Sequence, residues 1–249
     1  MNMPAKIMAH MVAFYPDAEA SLGVARGLMD GGCSYLEVQL PFSDPTADGP
    51  DIQRACGTAL DAGFRLDAGF RLLARITALS RVPVFVMTYA NLPFTRGVEA
   101  FLRACRDCGA HGVIVPDLPP DYDEMLFDLA EGLGLAAVPL ASPSMKEERL
   151  SRMARMGTGY LYATLRSGTT GAHTKVDGTG LSFLRRITEL AGPKPPKVLG
   201  GFGIDSREQV EGLAPHVHAV VVGSAIVRRI ARGGDPYEAA RAKMEELMG

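Results

Sequence analysis

Short apolar segments alternate with longer segments of helical periodicity along the whole 249-residue chain. The apolar segments are rich in Val, Ile, Leu and Met, and they are apolar at nearly every position rather than at every second one. Strands of this kind are buried on both faces, as parallel strands covered by helices are. The predicted strands number eight and span Ile7 to Phe14, Tyr35 to Leu40, Val84 to Thr88, Gly112 to Val115, Leu135 to Leu140, Tyr160 to Thr164, Lys197 to Gly200 and Ala219 to Val222.

Helical spacing fills the intervals between these strands. The predicted helices include Ala18 to Met29, Gly69 to Leu79, Val98 to Asp107, Tyr122 to Leu133, Met145 to Met156, Ser182 to Leu190, Ser206 to Leu213 and about Pro236 to Leu247. Eight strand and helix units favour a single α/β domain over residues 1–249, folded as a (β/α)8 TIM barrel. A doubly wound open sheet is the competing architecture. It would carry G-x-G-x-x-G after the first strand, where Phe14-Tyr15-Pro16-Asp17 stands instead.

Charge and composition argue against several classes of protein. The chain has 26 Lys and Arg against 28 Asp and Glu, so we expect no nucleic-acid partner bound by a basic surface. Because the chain lacks a long apolar run and an N-terminal signal pattern, we expect a cytoplasmic protein without a membrane segment. Cys105 and Cys108 lack a second pair, and His216 and His218 lack a third ligand, so we predict no metal site.

One carboxylate lies within an otherwise apolar predicted strand. Glu37 belongs to the segment Tyr35 to Leu40, and burying a carboxylate among apolar groups is costly unless it is paired or faces a cavity. Catalytic groups of (β/α)8 barrels lie at the carboxyl ends of the strands and in the loops that follow. We therefore predict that Glu37 is a catalytic acid or base at the barrel mouth. A structural Glu paired with a neighbouring Lys or Arg is the alternative.

The segment after this strand is a loop stiffened by three prolines, Pro41, Pro45 and Pro50. Each proline fixes φ near about −65° and removes one backbone donor. Asp44 and Asp48 in this loop are both suited to forming turns or capping the next helix. We favour a structural role for Asp44 and a position at the barrel mouth for Asp48.

Glycine is in excess, with 28 of 249 residues against roughly 7% in an average protein. The excess includes three segments that follow the last three predicted strands, namely Ser167-Gly-Thr-Thr-Gly171, Gly200-Gly-Phe-Gly-Ile204 and Gly223-Ser-Ala225. Glycine lets backbone N–H groups approach a ligand closely, and a helix N-terminus favours an anion. Each segment alone is typical of a turn, but together they predict a phosphate site where barrels of this kind usually have one.

The proline-rich loop has a long and specific resemblance. Over Leu36-Glu-Val-Gln-Leu-Pro-Phe-Ser-Asp-Pro-Thr-Ala-Asp-Gly-Pro50 the sequence closely resembles the signature of the tryptophan synthase alpha subunit. The similarity continues in order and spacing through Tyr89-Ala-Asn91, Pro116-Asp-Leu-Pro119, Ser167-Gly-Thr-Thr-Gly171, Gly201-Phe-Gly-Ile204 and Gly223-Ser-Ala-Ile-Val227. The chain is therefore similar to this family over nearly its whole length.

The resemblance implies a carbon–carbon lyase of tryptophan biosynthesis. Such an enzyme cleaves indole-3-glycerol phosphate to indole and glyceraldehyde 3-phosphate by a retro-aldol reaction, with no metal and no organic cofactor of its own. Glu37 matches the family residue that carries the protons, and Asp48 matches the carboxylate that hydrogen-bonds the indole N–H. Tyr162 matches the active-site Tyr near that Glu, and Phe202 matches the aromatic that packs on the indole.

The resemblance also implies phosphate, gating and partner contacts. The family's phosphate-binding positions are matched by Gly171, Gly203, Gly223 and Ser224. Thr170 matches the threonine that bonds Asp48 when the loop after the sixth strand closes. The implied partner is the beta subunit, which carries pyridoxal phosphate and receives indole through a tunnel in an αββα heterotetramer. Asp44 and Pro45 lie in the loop that usually contacts that subunit.

Two departures from the family pattern lie near the N-terminus. Few residues precede the first strand, so we expect the N-terminal helix that usually covers the barrel bottom to be shortened or absent. The first strand reads Met8-Ala-His-Met-Val-Ala-Phe-Tyr-Pro16 where the family usually shows Pro-Phe and Gly-Asp-Pro, which places His10 near a usual aromatic of the indole pocket.

These departures leave an alternative function open, a non-catalytic regulatory partner of the beta subunit. The presence of both carboxylates argues against it. A third and weaker hypothesis is an isomerase or synthase from another phosphate-binding barrel family, which the particular proline-rich acidic loop disfavours.

Overall fold

The computed structural model describes residues 5–165, 178–201 and 203–249. The strands are β1 (Ile7–Val12), β2 (Tyr35–Gln39), β3 (Val84–Met87), β4 (Gly112–Ile114), β5 (Ala136–Val138), β6 (Leu140–Ala141), β7 (Tyr160–Thr164), β8 (Lys197–Gly201) and β9 (Ala219–Val222). The α-helices are α1 (Ala18–Asp30), α2 (Pro50–Asp61), α3 (Leu66–Leu79), α4 (Asn91–Arg96), α5 (Val98–Asp107), α6 (Leu126–Gly132), α7 (Glu147–Ala154), α8 (Gly178–Ala191), α9 (Arg207–Leu213), α10 (Ser224–Ala231) and α11 (Pro236–Met248). Short 3-10 helices span Pro120–Tyr122 and Ala214–His216.

All the strands pair in parallel, in the order β5-β4-β3-β2-β1-β9-β8-β7-β6. The strands β5 and β6 are two pieces of the predicted fifth strand, separated by Pro139. Proline has no N–H to donate to a strand ladder, so the strand is interrupted there. The Pro139 carbonyl still accepts from the Tyr162 N–H at 2.9 Å. The pieces β5 and β6 thus stand at the two ends of the pairing order, which brings the strands into the predicted barrel.

Two apolar layers hold the barrel. One fills its interior with side chains such as Met8, Phe85 and Leu199, and the other packs the outer faces of the strands against the helices. Since successive side chains of a strand point to opposite faces, Tyr35, Glu37 and Gln39 of β2 share one face. Tyr35 belongs to the interior layer, so Glu37 also points into the barrel.

Some predicted boundaries differ from the structure. The first strand was expected to reach Phe14 but ends at Val12, because a turn follows in which the Tyr15 N–H donates to the Val12 carbonyl at 3.2 Å. Pro50 begins α2 rather than ending a loop, since the first position of a helix needs no N–H donor. The six-residue helix α4 has no counterpart among the predicted helices.

The N-terminal end of the barrel is filled by rings. Ala5 and Lys6, the described residues before β1, are not helical. A set of five side chains, here called the basal cluster, packs at this end and consists of Tyr35, Phe85, His111, Tyr160 and His218. The Tyr35 hydroxyl and His218 Nε2 share a hydrogen bond of 2.7 Å, and His111 Nε2 and the Tyr160 hydroxyl share one of 3.2 Å.

None of the helices that the structure describes is long and apolar enough to cross a membrane.

Candidate active site

A cavity of about 580 Å³, including its open mouth, lies at the carboxyl ends of the strands. Its polar lining comprises His10, Glu37, Asp48, Tyr162 and Ser224. Apolar side chains, among them Ile52, Met87, Ile114, Leu140 and Val221, complete the wall together with Gly203 and Gly223. The fold thus brings both predicted catalytic carboxylates and three predicted phosphate-binding residues to one cavity.

Glu37 is paired with a histidine rather than with the Lys or Arg that the structural alternative required. His10 Nδ1 lies 2.9 Å from Glu37 Oε2, and the two residues are only 4% and 3% exposed. Nδ1 is thus the ring nitrogen that faces the carboxyl group, and the two side chains share one hydrogen bond. The pair joins neighbouring strands, because His10 of β1 stands opposite Glu37 of β2 in the register.

The imidazole of His10 sits in an acidic setting. Burial by itself lowers the pKa of His10, but the charge of Glu37 and the hydrogen bond to it raise it. The Asp48 carboxylate and the Gln39 side chain act in the same direction, and the net result is a pKa above the ordinary value. The neighbouring carboxylates thus favour the protonated imidazole more than water would, despite burial.

Asp48 is held by two side-chain donors. Its Oδ2 accepts from Gln39 Nε2 and from the Tyr89 hydroxyl, each at 2.8 Å. The Tyr89 oxygen also accepts from the Ala47 N–H at 3.1 Å, which ties the proline-rich loop to the end of β3. Burial raises the pKa of the Asp48 carboxyl, and the hydrogen bonds and His10 oppose that rise. The carboxylate is thus fixed in place with little solvent around it.

Tyr162 lies on β7 across the barrel and lines the same cavity. Burial, followed by the negative charges of Glu37 and Asp48, raises its pKa well above that of an ordinary phenol. Its hydroxyl therefore keeps its proton and remains able to donate a hydrogen bond to a ligand.

Backbone geometry shapes the far end of the cavity. Gly203 has a φ of 75°, a left-handed conformation that favours glycine. A Cβ on Gly201 would lie 2.6 Å from the Val221 carbonyl oxygen, so β8 and β9 approach too closely there for a side chain. Gly223 precedes α10 and Ser224 begins it. The first N–H groups of a helix have no partner within the helix, which makes this end suited to an anion.

Other predicted site residues lie elsewhere. Thr170, Gly171 and Phe202 fall outside the residues that the structure describes, so their roles stay predictions. Asp44 is exposed, and its Oδ2 accepts from the Ser43 hydroxyl at 3.2 Å. The Pro45 carbonyl accepts from the Asp48 N–H at 3.0 Å, so this residue shapes the turn that carries the carboxylate. Contact of Asp44 and Pro45 with a partner also stays a prediction.

Three features of the site were not foreseen from the sequence. Gln39 and Tyr89 were not singled out as residues that hold Asp48, and His10 was not paired with Glu37. The alternation of side chains along β2 was a usable signal for Gln39, because it places Gln39 on the same face as Glu37. No local pattern predicts the contacts of His10 and Tyr89, since these residues lie 27 and 41 positions from their partners.

Metal-ligating residues do not gather around the cavity or elsewhere in the described ranges, where no group of three His, Cys, Asp or Glu has suitable geometry. Cys105 and Cys108 are free thiols on and beside α5, and Cys108 Sγ contacts the Phe70 carbonyl at 3.2 Å.

Comparison with known proteins extends the resemblance seen in the motifs. The family model for the tryptophan synthase alpha chain matches residues 2–249. The tryptophan synthase alpha chain of Helicobacter hepaticus is 40% identical over 231 residues, which make up 90% of this chain and 85% of that protein. The alpha chain of Thermococcus kodakarensis is 40% identical over 215 residues, or 86% of this chain and 84% of that protein.

Solved structures agree with these sequences. A tryptophan synthase structure from Mycobacterium tuberculosis has a TM-score of 0.89 at 31% identity and covers 98% of this chain and 91% of that one. A tryptophan synthase complex from Pyrococcus furiosus has a TM-score of 0.89 at 32% identity and covers 100% of both chains. With these relatives and a family model over nearly all of its residues, the chain belongs to the tryptophan synthase alpha chain family.

Proposed function

We propose that the chain cleaves indole-3-glycerol phosphate to indole and glyceraldehyde 3-phosphate by a retro-aldol reaction. The observation that carries this proposal is the cavity itself, which has Glu37 and Asp48 in its wall and the start of α10 at its phosphate-binding end. This arrangement suits a substrate in which a carbon that can be protonated, a hydroxyl group and a phosphate group follow one another along the molecule.

The first step is protonation of the indole ring. Glu37 in its acid form donates a proton to C3, and the C2–C3 π electrons form the new C–H bond. The positive charge that develops on the ring nitrogen is stabilised by Asp48, which accepts a hydrogen bond from the indole N–H. The two donors from Gln39 and Tyr89 hold that carboxylate in one orientation, so little reorganisation is needed as the charge develops.

The second step breaks the carbon–carbon bond. The hydroxyl on the carbon attached to C3 gives its proton to the Glu37 carboxylate, and the O–H electron pair becomes the carbonyl of glyceraldehyde 3-phosphate. The electrons of the broken bond return to the ring and restore indole. These two steps return Glu37 to its acid form, so the reaction consumes no proton and needs no redox partner.

Phosphate binding and assembly complete the proposal. Gly203, Gly223 and Ser224 are proposed to hold the substrate phosphate through backbone N–H groups, together with Gly171. We further propose that the chain needs no cofactor of its own and pairs with a beta subunit that carries pyridoxal phosphate in an αββα heterotetramer. The tryptophan synthase complex from P. furiosus supports a partner of this kind. A cytoplasmic location stays a prediction.

The decisive experiment measures indole release from indole-3-glycerol phosphate by the wild-type chain and by Glu37→Gln. The substitution keeps the size of the side chain but removes proton transfer, so we expect kcat to fall by about 10²–10⁴-fold. Glu99→Gln is the matched control, because Glu99 is an exposed carboxylate paired with Arg103 on α5 and its loss should leave kcat unchanged.

The assay is repeated with a purified beta subunit. Stimulation of the beta subunit by a wild-type chain that releases no indole would contradict the lyase proposal and favour the regulatory alternative. Near wild-type indole release by Glu37→Gln would contradict the role given to Glu37.

A further inference from the structure

The position of His10 in the cavity wall brings its ring close to both Glu37 and Gly223. It lies on β1 between β2, which carries Glu37, and β9, which leads to Gly223. A Cβ on Gly223 would lie 3.4 Å from the atoms of the His10 ring, so the imidazole packs directly against the phosphate-binding end. Among the described residues that line the cavity, His10 is the only side chain able to carry a positive charge.

The groups around this imidazole are acidic or neutral. Glu37 faces it from β2, Asp48 from the loop after β2, and Tyr162 shares the cavity from β7. The effect of Glu37, Asp48 and Gln39 on the His10 pKa outweighs the lowering by burial. The Nδ1 end of the ring is committed to Glu37, so a proton on this nitrogen lies next to the carboxyl group that has to act as the acid.

The second ring nitrogen makes no hydrogen bond of good geometry, although the neighbouring Gln39 side chain acts on the His10 pKa as a hydrogen-bond partner. This nitrogen, Nε2, is buried. A protonated imidazole carries a donor at this position, and buried donors are normally satisfied. Because the ring lies between Glu37 and Gly223, an oxygen on the carbon chain of a phosphorylated substrate would reach it between those two groups.

We propose that His10 is a positioning residue that stores the proton of the reaction and passes it to Glu37, so that the proton-transfer unit is the His10–Glu37 pair. This inference rests on the lyase function proposed above and adds a residue to its machinery. In the resting pair the imidazolium and the carboxylate share one hydrogen bond of 2.9 Å.

The proton moves within the pair and returns to its starting place. The Nδ1 proton moves to Glu37 Oε2, which leaves a neutral imidazole and a carboxylic acid. The acid gives that proton to C3 of the indole ring and becomes a carboxylate. It then accepts the hydroxyl proton as the carbon–carbon bond breaks, and this proton returns to Nδ1, which restores the imidazolium.

The His10–Glu37 pair should determine how turnover depends on pH. An ordinary Glu holds its proton only near a pKa of about 4.3, whereas an ordinary His holds one to about 6.5. Because the proton exchanges within the pair, the fraction of acid Glu37 follows the protonation of His10 and stays constant until His10 loses its proton. Turnover of the wild-type chain should persist into the neutral range and decline as His10 loses its proton.

The test compares pH profiles of kcat for wild type, His10→Gln and His10→Ala. Gln retains a donor to Glu37 but cannot store a proton, so we expect kcat at pH 8, taken relative to its low-pH plateau, to be about 10–10²-fold lower than in the wild type. The alkaline decline should move to lower pH, with little change in KM. Imidazole added to His10→Ala should restore part of the lost kcat. A wild-type pH profile in His10→Gln would overturn the proposal, since a purely structural role tolerates Gln.

A second measurement is independent of activity. The His10 imidazole is titrated by NMR in the wild-type chain and in Glu37→Gln, and we expect its pKa to lie above 6.5 in the former and to fall in the latter. A His10 that titrates at or below 6.5 in the wild type overturns the proposal. Absence of indole release by the wild type would instead contradict the lyase function, while the titration would still test the pair.

Discussion

Histidines and tyrosines lie at both ends of the barrel, yet the pKa values of the histidines shift in opposite directions. At the carboxyl end, His10 lies beside Glu37 and its pKa is raised despite burial. At the amino end, burial lowers the pKa of His111 and His218 in the basal cluster, and Lys197 lowers both further. The pKa of a histidine is thus raised at one end of the barrel and lowered at the other.

The two ends of the barrel also differ in whether their polar side-chain atoms have hydrogen-bond partners. In the basal cluster, Tyr35 pairs with His218 and Tyr160 pairs with His111, while the rings of these residues pack edge to face. At the mouth, His10 Nε2 and Gln39 Oε1 are buried without a hydrogen bond of good geometry among the described residues. The basal cluster is therefore complete as it stands, whereas the mouth retains capacity for a ligand. Substitutions should accordingly affect stability at the base and activity at the mouth.

The largest expected contrast is between Asp48→Asn and Tyr35→Phe. Loss of the Asp48 charge removes stabilisation of the positive indole ring, so kcat/KM should fall by about 10²–10³-fold, as when other electrostatic stabilisers are removed. Burial disfavours the ionised form of this carboxyl, so the melting temperature should hold or rise. Tyr35→Phe loses the bond to His218 and should lower the melting temperature while kcat/KM is unchanged. Indole release and thermal unfolding check both variants, and a destabilised but active Asp48→Asn would break the contrast.

A closer comparison uses two tyrosines of the same strand. Tyr162→Phe removes a hydroxyl from the cavity, and loss of one hydrogen bond to substrate should lower kcat/KM by about 2–12-fold, or about 0.5–1.5 kcal/mol. Tyr160→Phe removes the hydroxyl that bonds His111, which should cost about 1 kcal/mol of unfolding free energy and leave kcat/KM unchanged. Urea unfolding and steady-state kinetics separate these effects. Equal activity losses in both variants would show that the two ends are coupled.

The smallest expected effect concerns stability against pH. The pKa of His218 is lowered in the folded state, so the folded protein binds fewer protons than the unfolded chain below about pH 6.5 and loses stability on acidification. His218→Gln should therefore flatten the acid side of the stability profile. The pKa of His10 is raised, so its contribution is complete below about pH 6.5 and is lost as the pH rises through the folded value.

Urea unfolding of both variants at several pH values between about 5 and 8, where His residues titrate, checks these signs. The difference between wild type and His10→Gln should shrink as the pH rises, and His218→Gln should show the opposite trend. A common trend in the two variants would contradict the assignment of opposite pKa shifts to the histidines at the two ends.

Much of the fold was predictable because burial on both faces leaves a clear trace in composition. The eight apolar segments predicted the strands, and the bounds of Tyr160–Thr164 and Ala219–Val222 agree with the structure. Because these strands are buried on both faces, their residues do not alternate between apolar and polar. The sequence therefore does not show which side chains point into the barrel. The interruption at Pro139 was missed because the apolar run continues across it, and α4 was missed because a six-residue helix shows little periodicity.

The sequence by itself determined that a carboxylate, Glu37, is carried within a buried strand and that a stiff acidic loop and three glycine segments follow strand ends. These are local features of the sequence, and a charged residue within an apolar segment indicates a special environment whatever the fold. Only the tertiary structure decided the partners of these groups, namely His10 for Glu37 and Gln39 with Tyr89 for Asp48. These contacts depend on the register of adjacent strands and on barrel closure, which bring together residues far apart in the chain.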